Sequence, residues 1–62
     1  SGIGVLQHYI LGHMWTNIAA YNGNKTSTAL RKIIAEKMNL NQISEAQKLA
    51  QKCLGSDYKN CE

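Results

Sequence analysis

His8, His13, Cys53 and Cys61 are the side chains of this 62-residue chain best suited to chemistry. Two imidazoles and two thiols can hold a zinc ion when they converge as a tetrahedron. The spacing argues against it here. His8 and His13 are five apart, which on a helix separates them by about 140°, whereas paired helical ligands stand four apart on one face. Cys53 and Cys61 match no zinc-finger spacing. No metal and no other cofactor is expected, and both imidazoles read as helix-surface groups. Nucleophilic catalysis would need a Cys or Ser beside a base that a third group orients. Cys53 falls on the apolar side of a helical segment and Cys61 in a polar tail, while Asp57 and Glu62 are near them only in sequence. A chain of this length also has little room for a pocket of the usual ~300 Å3. No catalytic residue is assigned, and neither an enzyme nor a small-molecule substrate is expected.

The two cysteines make better sense as a staple. Gly55 lets the chain reverse, and the segment from Ser56 to Cys61 can return to the helix end, with Tyr58 over Leu54 or Leu49. The bond would imply an oxidising compartment, periplasmic or secreted. Spacing alone fixes no geometry, so a pair of reduced thiols in a cytoplasmic protein stays open. The sequon Asn24-Lys25-Thr26 reads as chance.

Charge and length narrow the classes further. The formal net charge is +3, and Lys25, Arg31, Lys32, Lys37, Lys48, Lys52 and Lys59 form no block. A nucleic-acid footprint gathers its cations on one stripe, so a solvated surface is expected instead. No apolar run reaches the roughly 18 residues of a membrane span, and none reads as a signal peptide, which a mature chain would have lost. A domain this small buries only about 60% of the surface its unfolded chain exposes.

These side chains must be positioned by helices. Pro and Phe are absent, and Ala, Leu, Lys, Gln, Glu and Met favour helix. The periodicity predicts an all-α fold of three amphipathic helices, over about 6–22, 26–38 and 40–54, within a single domain of residues 1–62. In the first, Ile10, Tyr21, Met14, Ile18, Leu11, Trp15, Ala19 and Gly12 form one arc of about 200°, twice the stripe of a simple surface helix. Gly23 is a stop signal. Ala29, Leu30, Ile33, Ile34 and Met38 form the stripe of the second, with Thr28, Arg31, Lys32 and Glu36 turned away. Asn39 and Gln42 predict a capped start to the third. There Ile43, Ala46, Leu49, Ala50, Cys53 and Leu54 share one face, Glu45, Lys48 and Lys52 the other, and Gly55 ends it. Residues 55–62 are a polar tail.

The run GIGVLQHYILGHMWTNIAAYNGN resembles the second half of a Sel-one-like repeat, a helical relative of the tetratricopeptide repeat. Gly2, Gly4 and Val5 match that family's Gly-x-Gly-Val loop; Gly12, Trp15, Ala19, Ala20 and Gly23 match its following helix. The segment IIAEKMNLNQISEAQKLAQKC is similar to those that close bacterial arrays of this type. Gly12 departs from the usual Ala, and His8 stands where an acidic residue is common. The resemblance divides the chain into a loop and second repeat helix (1–24), then a following helix and a C-terminal capping helix (25–54). It implies an α/α solenoid fragment whose preceding helix is missing.

A broad apolar arc on so small a chain needs an outside cover. The function expected from these readings is protein–protein interaction, as a repeat module or as a cap that closes an array. The cover would be a homodimer partner or a longer parent array. Tyr9, Ile10, His13, Met14, Trp15 and Asn17 are the candidate contact residues. Trp15 is expected chiefly to fill the core, with an external anchor as the alternative. A helix-turn-helix nucleic-acid binder, with Asn41, Gln42 and Ser44 offered to bases, is the second reading.

Overall fold

The absence of proline and the supply of helix formers produce three helices in the computed structural model, which describes the backbone of residues 2–62 and the side chains of residues 7–62. They are α1 (Gly2–Tyr21), α2 (Lys25–Ala35) and α3 (Leu40–Gly55). No strand occurs among the described residues. The all-α expectation therefore holds, with three changes at the helix ends.

The first change is at the start. A loop was expected over Gly2, Gly4 and Val5, but the backbone is helical from Gly2. Nothing between Gly4 and Leu6 stops a helix: there is no proline and no Asn, Asp, Ser or Thr cap. A glycine weakens a helix by only about 1 kcal/mol. How Gly2, Gly4 and Val5 pack lies outside the described residues.

Second, α2 ends at Ala35 rather than Met38. The next amides tighten into short turns, Lys37 N–H donating to the Ile34 carbonyl and Met38 N–H to that of Ala35, both at 3.0 Å. This frees Asn39 to open α3. Its side chain accepts from the Gln42 amide at 2.9 Å, and the Gln42 side chain accepts from the Asn39 amide at 2.9 Å. Two otherwise unpaired donors at the helix start are satisfied reciprocally.

Third, Gly55 is the last helical residue, not the one that reverses the chain. The reversal falls on Asp57 and Tyr58, both with positive φ (56° and 66°). Tyr58 N–H reaches back to the Cys53 carbonyl at 2.8 Å and Asp57 N–H to that of Leu54 at 3.1 Å. The α1 terminus closes in the same way on Gly23, whose φ of 97° suits glycine. There the Asn24 and Gly23 amides donate to Ala19 and Ala20. The Asn24 side chain then accepts from the Ser27 amide at 2.9 Å and caps α2.

α1 is the central element. It packs on both α2 and α3, whereas α2 and α3 barely touch. The core lies between α1 and α3: Met14, Ile18, Ala50 and Cys53 are buried, with Leu11, Leu49, Leu54 and Cys61 against them. Ile10 and Ala46 are buried as well. No residue of α2 is fully buried.

Candidate interaction surface

Two contacts fix how α2 lies on α1. A Cβ placed on Gly12 would stand 3.4 Å from Ile34 Cδ1, so the missing side chain is what lets α2 come close. One and a half turns further along, the Arg31 guanidinium donates to Asn17 Oδ1. Gly12 is thus level with Ile34 and Asn17 with Arg31, so the two helices run antiparallel.

The same contacts divide the pair into two sides. At about 100° per residue, Gly12 and Asn17 lie on opposite flanks of the α1 strip that meets α2. Passing outward beyond Gly12 around α1, the next positions are Ala19, His8 and Trp15. Passing outward beyond Ile34 around α2, the next are Leu30, Thr26 and Ile33. Trp15, Leu30 and Ile33 therefore share one side of the hairpin, and the Asn17–Arg31 bond marks the other. Trp15 is 42% exposed, Leu30 46% and Ile33 53%. Ile34 and Ala19 between them are half-buried. α3 does not cover this side, because it meets α1 along Leu11, Met14 and Ile18.

Trp15 is accordingly not a core residue. The side of α1 that α3 takes runs through Ile10, Met14 and Ile18, and the indole lies beyond its edge. The same register removes three of the expected contact residues: Ile10, His13 and Met14 are buried by the chain itself. Tyr9 and Asn17 are half-buried, and the Asn17 side chain is engaged with Arg31. Of the repeat-motif positions, Gly12, Ala19 and Ala20 are half-buried and Gly23 is exposed. Leu30 and Ile33 were expected on the stripe that packs inward and not as contact residues. Arg31, expected to face away from α1, is half-buried and bonded to it. The face of α2 toward α1 thus lies between Ile34 and Arg31, with Leu30 and Ile33 beyond its edge.

His13 was expected at the helix surface. It is 4% exposed, and its Nδ1 is buried without a hydrogen-bond partner. Burial, with the Arg31 charge adding to it, lowers its pKa from the usual 6.5. His8 is exposed. Among the described residues no group of three or more His, Cys, Asp or Glu is placed to hold a metal ion.

Cys53 and Cys61 stand at disulfide distance, with their sulfurs 2.08 Å apart. Cys53 is part of the core and Cys61 packs on it. The tail is also tied down by polar contacts. Ser56 Oγ donates to the Cys53 carbonyl at 3.0 Å and accepts from the Asn60 amide at 2.8 Å. Tyr58 is half-exposed, and its hydroxyl accepts from the Asn22 side chain at 3.2 Å, linking the tail to the end of α1. Of the residues a helix-turn-helix would offer to bases, Asn41 and Ser44 are exposed and Gln42 is engaged in the α3 cap. No helix of the described residues is long and apolar enough to cross a membrane.

Compared with known proteins, the chain matches no family model, and no curated protein or solved structure is significantly similar to it.

Proposed function

We propose that this chain acts in protein–protein interaction, as a module or terminal cap of a helical-repeat protein of the Sel-one-like type, without catalysis of its own. The observation that carries this reading is the open side of the α1–α2 hairpin, on which Trp15, Leu30 and Ile33 are each about half exposed. Tryptophan is among the residues most enriched in binding hot spots. In a helical array each helix meets its hairpin partner and the neighbouring repeat. α1 already meets α2 and α3, and its remaining side is the one that another helical body would cover. The outer face of α3, with Glu45, Lys48 and Lys52 exposed, suits the solvated end of such an array. The Cys53–Cys61 pair supports placement in an oxidising compartment, periplasmic or extracellular.

A photo-crosslinking residue tests this reading when introduced at Ile33 and, separately, at Glu45 in producing cells. A discrete protein adduct is expected from position 33 and is expected to disappear when Leu30→Ser is added. Adducts from neither position, or equal adducts from both, would remove the support for an interaction surface on this side.

A further inference from the structure

His13 sits on the seam where α1 meets α2. At about 100° per residue, the α1 strip between Gly12 and Asn17 holds Thr16, Tyr9, Ala20 and His13. The facing strip of α2, between Ile34 and Arg31, holds Ser27. Thr16, Tyr9, Ala20 and Ser27 are half-buried and His13 is buried.

A proton on this imidazole would have nowhere to go. The neutral ring can leave Nδ1 bare, but the imidazolium carries a proton on both nitrogens. Nδ1 would then be a buried donor without an acceptor. No opposite charge faces it. α1 contains no Asp, Glu, Lys or Arg, and Tyr9, one turn earlier, is the other titratable group of its strip. From α2 the Arg31 cation faces the strip, while Lys25, Lys32, Glu36 and Lys37 are exposed. The buried residues of α3 are Ala46, Ala50 and Cys53, and its Glu45, Lys48 and Lys52 are exposed. In the tail, Asp57, Lys59 and Glu62 are exposed as well. Burial, and then the Arg31 charge, accordingly disfavour the protonated ring.

α2 is the element least able to absorb that cost. It has 11 residues, none of them fully buried, and it barely touches α3. Helices shorter than about 12–15 residues are marginal on their own, so α2 depends on α1 to stay helical. α1 and α3 have a core apart from it, made by Met14, Ile18, Ala50 and Cys53, with Cys61 packed against it.

We infer that the α1–α2 seam is an acid-operated catch: a proton on His13 unseats α2 and lets it melt, while α1 and α3 stay packed on each other. The seated state favours the neutral ring and the open state accepts the proton, so the opening grows as pH falls.

Hydrogen exchange of the full, oxidised chain tests this at about pH 7.5 and about pH 5, in urea below the unfolding transition, with rates corrected for the intrinsic pH dependence of exchange. The α2 amides are expected to exchange through an opening of their own. It should be less costly than that of the α3 amides and have a shallower urea dependence, because it exposes less surface. Its opening constant is expected to rise about tenfold at the lower pH, the effect of a buried donor left unpaired. His13→Gln and His13→Leu, each checked for helix content by far-ultraviolet circular dichroism at neutral pH, are expected to keep the opening and lose its pH dependence. His8→Gln, at the exposed histidine, is expected to leave that dependence in place. One free energy and one urea dependence shared by α2 and α3 would overturn the inference, since the chain would then open only as a whole. An α2 opening indifferent to pH, or an acid response that persists in the His13 variants, would overturn it as well.

Discussion

Two residues hold this fold at some cost, and each gives a measurable consequence. His13 is buried beside Arg31 with an unpartnered Nδ1. Its folded pKa is lowered, so between that value and the unfolded 6.5 the unfolded chain binds more protons. The stability held at neutral pH is therefore lost as pH falls below about 6.5 toward the folded value. Urea midpoints measured from about pH 7.5 down to about pH 5 are expected to fall, and His13→Leu is expected to remove most of that slope in this window. Asp57 is the second residue. It holds a φ of 56°, beside Tyr58 at 66°, a region that costs most L-residues roughly 1 kcal/mol and aspartate less. Asp57→Gly is expected to raise stability by less than about 1 kcal/mol in the same assay. Neither cost was legible beforehand. The burial of His13 depends on how α2 seats on Gly12, and the place of the reversal depends on the tail, since Gly55 alone looks like the better stop.

Within the elements, helix formation was legible because it is written in local spacing. The capping pair Asn39 and Gln42 follows from their three-residue separation and closes as that spacing requires. Asn39→Ala is expected to destabilise the chain by about 1 kcal/mol in thermal unfolding. The width of the α1 arc was also legible. Which part of it stays open was not, because that depends on the rotation of α2. The stripe of Ala29, Leu30, Ile33, Ile34 and Met38 predicts an inward face, yet only Ile34 and Met38 are partly buried. The side of α2 that meets α1 also carries the Asn17–Arg31 bond, made by two polar residues fourteen apart. A periodicity count weighs apolar positions and gives no weight to a single polar pair across a hairpin.

For the whole molecule, a core confined to one side of α1 leaves little reserve, and the tail bond supplies part of it. Closing a loop of this length is worth about 2.5 kcal/mol in the chain-entropy description. Reduction, or Cys61→Ser, is expected to lower the unfolding free energy by about that amount, read as a fall in urea midpoint with and without reductant. The other side of α1 is where the chain's own cover stops, and where the proposed partner would sit. Leu30 and Ile33 contribute exposure rather than core, so replacing them should affect association and not folding. The most direct measurement is acrylamide quenching of Trp15 in the dilute, folded monomer, repeated with the occupant bound. An indole open to quencher in the free chain, and shielded with a blue-shifted emission on binding, is the expected result. An indole already shielded and blue-shifted in the free monomer would mean that the chain covers this side by itself, and would contradict the assignment of an interaction surface there.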